Sequence, residues 1–262
     1  MAPEAGTVER WAWELVHATT LADKLTPPPR PDRWEVAPPP RPEVRPGRPP
    51  ELDLLSRPPK TPKAGALRDP RKRAQLLHTF LHHELQAAEL MSWALLAFPE
   101  TPRAFRRGLM AIADDELRHT RLYAAHIERL GAAVGDFGVR DWFWERVPTV
   151  TSPAAFVALL GVGFEGANLD HSARFARLFR EAGDEAGARL QEQVGREEEP
   201  HVRFAIRWFE RFAGGLEWER WLAHLPPPLT PIVMRGAPIV RDARRRAGMS
   251  ESFLDALEAF AP

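Results

Sequence analysis

Apolar residues recur at three- and four-residue spacing along four long stretches of this chain, and no alternating pattern of strand length appears between them. The first stretch carries Leu77, Phe80, Leu81, Ala88, Met91, Leu95 and Phe98. It opens on Asp69-Pro70, a capping residue followed by proline at the first helical position, where a missing N–H costs nothing. The turn Pro99-Glu100-Thr101-Pro102 leads into a second stretch, from Arg103 to Leu130, striped by Leu109, Ile112, Ala113, Tyr123, Ile127 and Leu130 and ended by Gly131. A third starts at Thr151-Ser152-Pro153, runs to Ala182 and carries Ala158, Val162, Leu169, Ala176 and Phe179. After a turn over Gly183 to Gly187, a fourth carries Leu190, Val194, Ala205, Trp208 and Phe212 and stops at Gly214-Gly215. The two short turns predict antiparallel helix hairpins. Residues 131–150, with Gly135, Gly138, Pro148 and the run Trp142-Phe143-Trp144, predict an irregular crossover that lays aromatic side chains over the helices. The expected fold class is all-α, a four-helix bundle with one long crossover.

The flanks read differently. Val8 to Val16 predicts a short amphipathic helix through Trp11, Leu15 and Val16. From Pro27 to Pro62 prolines cluster; each fixes φ and removes a donor, so the segment is extended rather than helix or central strand. Two readings stand: a disordered linker, or an arm that wraps the domain and seats Trp34, Val36, Leu52, Leu54 and Leu55 in surface grooves. After Trp221 the chain turns loop-like through Pro226-Pro227-Pro228 and Pro231. A short closing helix, capped by Ser250, packs through Phe253, Leu254, Leu257 and Phe260. The expected division is an arm over 1–68, a helical bundle over 69–215 and a C-terminal extension over 216–262.

Six polar residues interrupt the apolar stripes in a repeated order: Glu84, then Glu116 and His119; Glu165, then Glu198 and His201. A lone Glu-x-x-His is a weak signal, because residues three apart on a helix are commonly a solvated pair. The doubled order is the arrangement with which ferritin-like bundles hold two iron or manganese ions. Glu89, five residues past Glu84, lies about 140° around the helix, beside His82, Gln86 and Trp93. Glu84 precedes Glu100 by as many residues as Glu116 follows it (100 − 84 = 16; 116 − 100 = 16), which sets Glu84 and Glu116 at one height across the hairpin. Glu165 and Glu198 are similarly disposed about the second turn. Glu89 and Asp170, with His82, His83 and His171, are candidate outer partners or alternative ligands. Tyr123, one turn after His119, is a candidate redox neighbour or an ordinary core tyrosine. Pro200, between the ligands of the fourth helix, predicts a kink or bulge. Without metal, four inward carboxylates would each cost several kcal/mol; two divalent cations would bring the set close to neutral.

Composition narrows the chemistry further. The absence of cysteine excludes disulfides, thiolate zinc sites, iron–sulfur clusters and a cysteine nucleophile, leaving Glu, Asp and His as ligands. With 36 basic and 36 acidic residues there is no bulk signal for nucleic acid or membrane. The start Met-Ala-Pro-Glu-Ala-Gly lacks the regions of a signal peptide, and no uncharged apolar run reaches the roughly 18 residues of a span. A cytoplasmic monomer or dimer is expected.

His83-Glu84-Leu85-Gln86-Ala87 with Glu89, Asp115-Glu116 with Arg118-His119, Glu165 with Leu169-Asp170, and Glu198 with His201-Val202 and Arg207-Trp208-Phe209 resemble a bacterial ferritin-like family labelled domain of unknown function four-five-five. The proline-rich lead-in and Gly135-Asp136 are similar too, so the resemblance runs from the proline segment to Phe212. It implies a ferritin-like fold with a dimetal site at Glu84, Glu116, His119, Glu165, Glu198 and His201, and no established reaction. Pro200 departs from the small or apolar residue expected at its position. More distantly, Glu84-x-x-Ala87-Ala88 and Phe98-Pro99 resemble the tRNA-modifying dimetal monooxygenases.

The function expected from these residues is a dimetal carboxylate oxidoreductase with two iron or manganese ions, a mixed pair included. It would activate dioxygen or peroxide for an organic small-molecule substrate with the help of an electron donor. Two alternatives stand beside it: metal oxidation, storage or detoxification without organic substrate, and a structural or interaction role carried by the proline-rich arm.

Overall fold

The computed structural model describes residues 1–57 and 60–261; Pro58 and Pro59, within the proline-rich arm, lie outside the described residues. The chain forms two compact units, Met1–Pro148 and Thr149–Pro262, each built on one helix hairpin. Its fold class is all-α. Among the described residues no strand forms beyond an isolated parallel bridge between Leu54 and Val139.

The first unit holds α1 (Val8–His17), α2 (Leu21–Leu25), α3 (Pro70–Ala97) and α4 (Arg103–Arg129). Helix α3 starts where expected: Asp69 accepts from the Arg71 N–H at 2.9 Å, and Pro70 takes the first helical position. Its apolar stripe packs along α4, and α1 packs on α3 as well. From Glu84 to Phe98 every residue of α3 and its cap is buried, including Gln86, Glu89 and Ser92. The side of α3 that reads as polar in the sequence is therefore covered.

The cover is the proline-rich arm, which wraps. Its attachments are largely to backbone groups. Trp11 Nε1 donates to the Pro28 carbonyl (2.7 Å), the Val8 N–H to Arg33 (2.8 Å), the Gly47 N–H to Val16 (2.8 Å), the Arg41 N–H to Leu96 (2.8 Å) and Trp93 Nε1 to Pro42 (2.9 Å). Prolines lack donors but keep their carbonyls, and those carbonyls are what the indoles use. The expected side-chain anchors hold only in part. Leu52 is buried, but Val36 is 90% exposed and Leu54 45% exposed, and Val44 is a buried anchor that the sequence did not single out. Trp34 is half-buried, its ring within 4.3 and 4.9 Å of the guanidinium carbons of Arg103 and Arg106.

The crossover is tied down by a buried histidine. The Gly135 N–H donates to His78 Nε2 at 2.7 Å, so the neutral ring carries its proton on Nδ1. Gly135 has φ +104°, and a Cβ there would press on the Glu51 carbonyl. Burial, reinforced by neighbouring His82 and opposed by Asp136, lowers the His78 pKa to about 4. The unfolded chain takes up this proton near the ordinary value of 6.5, so it binds more protons than the native state between pH 6.5 and 4. Stability from His78 is complete above that window and is lost as pH falls through it, by at most about 3 kcal/mol. His78→Gln keeps an acceptor and cannot titrate. Melts at pH 7.5 and 4.5 should show it losing less stability on acidification than the wild type; an equal loss would remove His78 from the account.

The second unit holds α5 (Pro153–Phe156), a π-helical segment (Val157–Glu165), α6 (Gly166–Glu181), α7 (Glu185–Ala213), α8 (Trp218–Leu222), α9 (Arg241–Ala247) and α10 (Glu251–Ala259). The starts match the sequence signals: Ser152 caps at Ala155, Asp184 at Gly187 and Ser250 at Phe253. One feature does not. The third helix is α-helical at both ends and π-helical between, with every residue of Val157–Glu165 buried. Gly161 lies so close to α7 that an added Cβ would overlap the Cβ of Ala205. Helix α7 runs through Pro200 without a break. Pro200 and Arg196, whose carbonyl loses its partner to the proline, are both exposed, so water can satisfy that oxygen. No helix among the described residues is long and apolar enough to cross a membrane.

Candidate metal centre

In the first unit, α3 supplies Glu84 and α4 supplies Glu116 and His119. The equal offsets about the Pro99–Pro102 turn put the three together: His119 Nδ1 lies 3.3 Å from Glu116 Oε2 and 3.5 Å from Glu84 Oε2. Ligand atoms of all three lie within 4.8 Å of one another. Glu84 is 5% exposed, and the other two are fully buried. Burial disfavours a charged imidazole, yet the hydrogen bonds and negative charge of Glu116 and Glu84 push the His119 pKa up to about 12. The protonated ring stands where a cation is wanted. A buried Glu/His cluster of this kind can hold a metal ion.

In the second unit, α7 supplies Glu198 and His201, three residues apart and one turn along the same face. His201 Nδ1 lies 3.0 Å from Glu198 Oε2, so Pro200 between them does not prevent the pair from meeting. Glu165 is the last residue of the π-helical segment and is 5% exposed. From α6, one turn on, Asn168 Nδ2 donates to Glu198 Oε1 at 3.2 Å.

A family model described as "Protein of unknown function (DUF455)" matches residues 7–255, nearly the whole chain. The protein belongs to the DUF455 family. An uncharacterised protein of Haemophilus influenzae is 25% identical over 216 residues, which cover 79% of this chain and 74% of that relative. No solved structure matches.

Two further acidic residues of this DUF455 chain, Glu89 and Asp170, are spent elsewhere. Each lies five positions after the first glutamate of its half (84 + 5 = 89; 165 + 5 = 170). Glu89 accepts from Lys24 Nζ (2.5 Å), both terminal nitrogens of Arg48 (2.7 and 2.9 Å) and Trp144 Nε1 (2.7 Å). Asp170 accepts from the N–H groups of Gly236 (2.8 Å) and Val240 (2.6 Å) and from Arg244 Nε (3.2 Å) and Nη2 (2.7 Å). A carboxylate has about four acceptor positions, and here all are taken, so neither residue has a lone pair to give as an alternative ligand. Both serve as anchors, Glu89 for the arm and crossover and Asp170 for the C-terminal extension. Burial alone would raise the Glu89 pKa, but Arg48 and Lys24 hold it below the usual carboxylate range. Burial also pulls Lys24 below its ordinary value despite Glu89.

The remaining candidates fall on either side. His82 Nε2 meets Asp141 Oδ1 at 2.9 Å and belongs to the Glu89 network. His83 stacks on Phe143, ring centres 4.9 Å apart, and His171 is half-buried near Phe175. Tyr123 is buried with its ring 6.0 Å from Phe80. Sequence reasoning missed Lys24, Arg48 and Asn168, and the basic run Arg244-Arg245-Arg246, which reads as a solvated face, instead buries Arg244 against Asp170. Asn168 alone carried a signal, as a polar residue one turn after Glu165.

Proposed function

We propose that this DUF455 protein is a dimetal carboxylate oxidoreductase. Glu84, Glu116 and His119 of the first unit and Glu165, Glu198 and His201 of the second would hold two iron or manganese ions, a mixed pair included. The observation that carries this reading is the buried Glu84–Glu116–His119 group, in which two carboxylates withdrawn from water stand 3.3 and 3.5 Å from one imidazole nitrogen. Oxygen and imidazole donors without thiolate suit iron and manganese, and four glutamates balance two divalent ions. When bound, such a pair activates dioxygen or peroxide for attack on an organic substrate, with electrons from a donor.

The chain's own contribution is positional. Each Glu-x-x-His pair holds its imidazole against its carboxylate, at 3.3 Å in the first unit and 3.0 Å in the second. The arm covers the side of α3 opposite Glu84, where Trp93 donates to the Pro42 carbonyl. Elemental analysis of aerobically purified protein, with its visible spectrum, tests the reading. About two iron or manganese ions per chain, with oxo- or carboxylate-to-metal absorption, are expected. Protein without stoichiometric metal would sink it, and many ions per chain would point to storage instead.

A further inference from the structure

The two Glu, Glu-x-x-His halves of the chain are not chemically equal. Three residues after the first glutamate of each half stand Ala87 and Asn168 (84 + 3 = 87; 165 + 3 = 168). Three residues are nearly one helical turn, so each lies on the same side of its helix as its glutamate. Ala87 offers no side-chain donor. Asn168 offers an amide, and the structure uses it: Nδ2 donates to Glu198 Oε1 at 3.2 Å while His201 Nδ1 lies 3.0 Å from the other oxygen, Oε2. Each oxygen of Glu198 thus has its own partner within the second unit.

We propose that Asn168 is a positioning residue that fixes the Glu198 carboxylate and makes the two metal positions inequivalent, the one served by Glu198 and His201 binding its ion more tightly. This rests on the dimetal reading above. The terminal torsion of a glutamate is soft and broad, and a carboxylate free to turn loses that freedom when it coordinates an ion. A donor on one oxygen removes part of that loss in advance and selects which lone pairs of Glu198 remain for a metal. Outer partners of this kind are worth about 10–100-fold in metal affinity. Because position 87 is alanine, this particular amide has no counterpart at the matching position of the first half. An otherwise repeated ligand set would then load in two distinguishable steps, and a sequence of loading is what a mixed-metal pair requires.

Full-length protein stripped of metal by chelation can be titrated with Mn(II) by calorimetry and with Co(II) by visible absorption. The wild type should bind two ions in two resolved steps. In Asn168→Ala, which matches the second half to Ala87 of the first, the tighter step should weaken by about 10–100-fold, so that the two steps merge and one set of Co(II) bands shifts. Asn168→Leu removes the donor while keeping the side chain's size, and should weaken that step as much. Asn168 is half-buried on the helix surface, so the far-UV circular dichroism of both variants should match the wild type and separate lost positioning from lost folding. Two ions bound by either folded variant with unchanged steps and bands would overturn the role of Asn168 while leaving the metal reading standing. No uptake of either ion by the wild type would remove the metal reading itself.

Discussion

Glu116→Gln should lose stoichiometric metal while keeping the fold. Glu116 is fully buried at the centre of the first-unit cluster, with His119 at 3.3 Å, and glutamine preserves its shape while removing the charge and one strong donor oxygen. Loss of an outer hydrogen-bond partner costs a metal site about 10–100-fold; loss of a ligand itself should cost at least on the order of 100-fold. The same change has a thermodynamic signature. A ligand that binds only the native state stabilises it by about 2.7 kcal/mol at a hundredfold excess over Kd, so Mn(II) or Fe(II) should raise the Tm of the wild type and leave that of the variant nearly still. The pair of readouts is metal per chain after gel filtration and the shift in Tm on metal addition. Wild-type stoichiometry in a folded Glu116→Gln protein would exclude Glu116 as a ligand.

The second large effect concerns the other buried carboxylate of α3. Arg48→Ala removes two charge-assisted contacts to Glu89 and the pairing with Asp141, leaving the fully buried Glu89 to Lys24 and Trp144. Removing one partner of a buried ion pair typically costs about 3–5 kcal/mol, because the remaining charge stays buried. The loss should be visible as a lower midpoint in urea. It should also be local. Arg48 joins the arm to α3 and to the crossover at once, so proteases should cut the variant first within residues 27–57, and faster there than in the wild type. A midpoint shift equivalent to less than about 1 kcal/mol would place this network among the weak surface pairs and leave the hold on the arm to its backbone hydrogen bonds.

Glu84 and Glu89 show why some of this was legible and some not. Both are buried glutamates on one helix. Periodicity separates their directions, and equal spacing about the turn pairs Glu84 with Glu116; both arguments are local and need only the helix. The fate of Glu89 depends on Arg48, 41 residues upstream, and on Trp144, 55 residues downstream, and no spacing rule reaches that far across a proline-rich arm and an irregular crossover. Asp170 repeats the case with Arg244, 74 residues away. The π-helical segment was hidden for a different reason: Val157 to Phe164 is apolar throughout, so no polar position marks the face and the register can widen without a change of pattern.

The sequence by itself determined the all-α class, the ends of the long helices at Asp69, Ser152 and Asp184, and the inward side of Glu84, because capping and helical periodicity act over a few neighbouring residues. Only the tertiary structure decided that the proline-rich segment is a wrapped arm, that Glu89 and Asp170 are anchors, and that Asn168 reaches Glu198. Those outcomes depend on which donors distant segments bring to a buried carboxylate, and burial makes the choice binding: an oxygen withdrawn from water must take whatever partner the packed chain supplies.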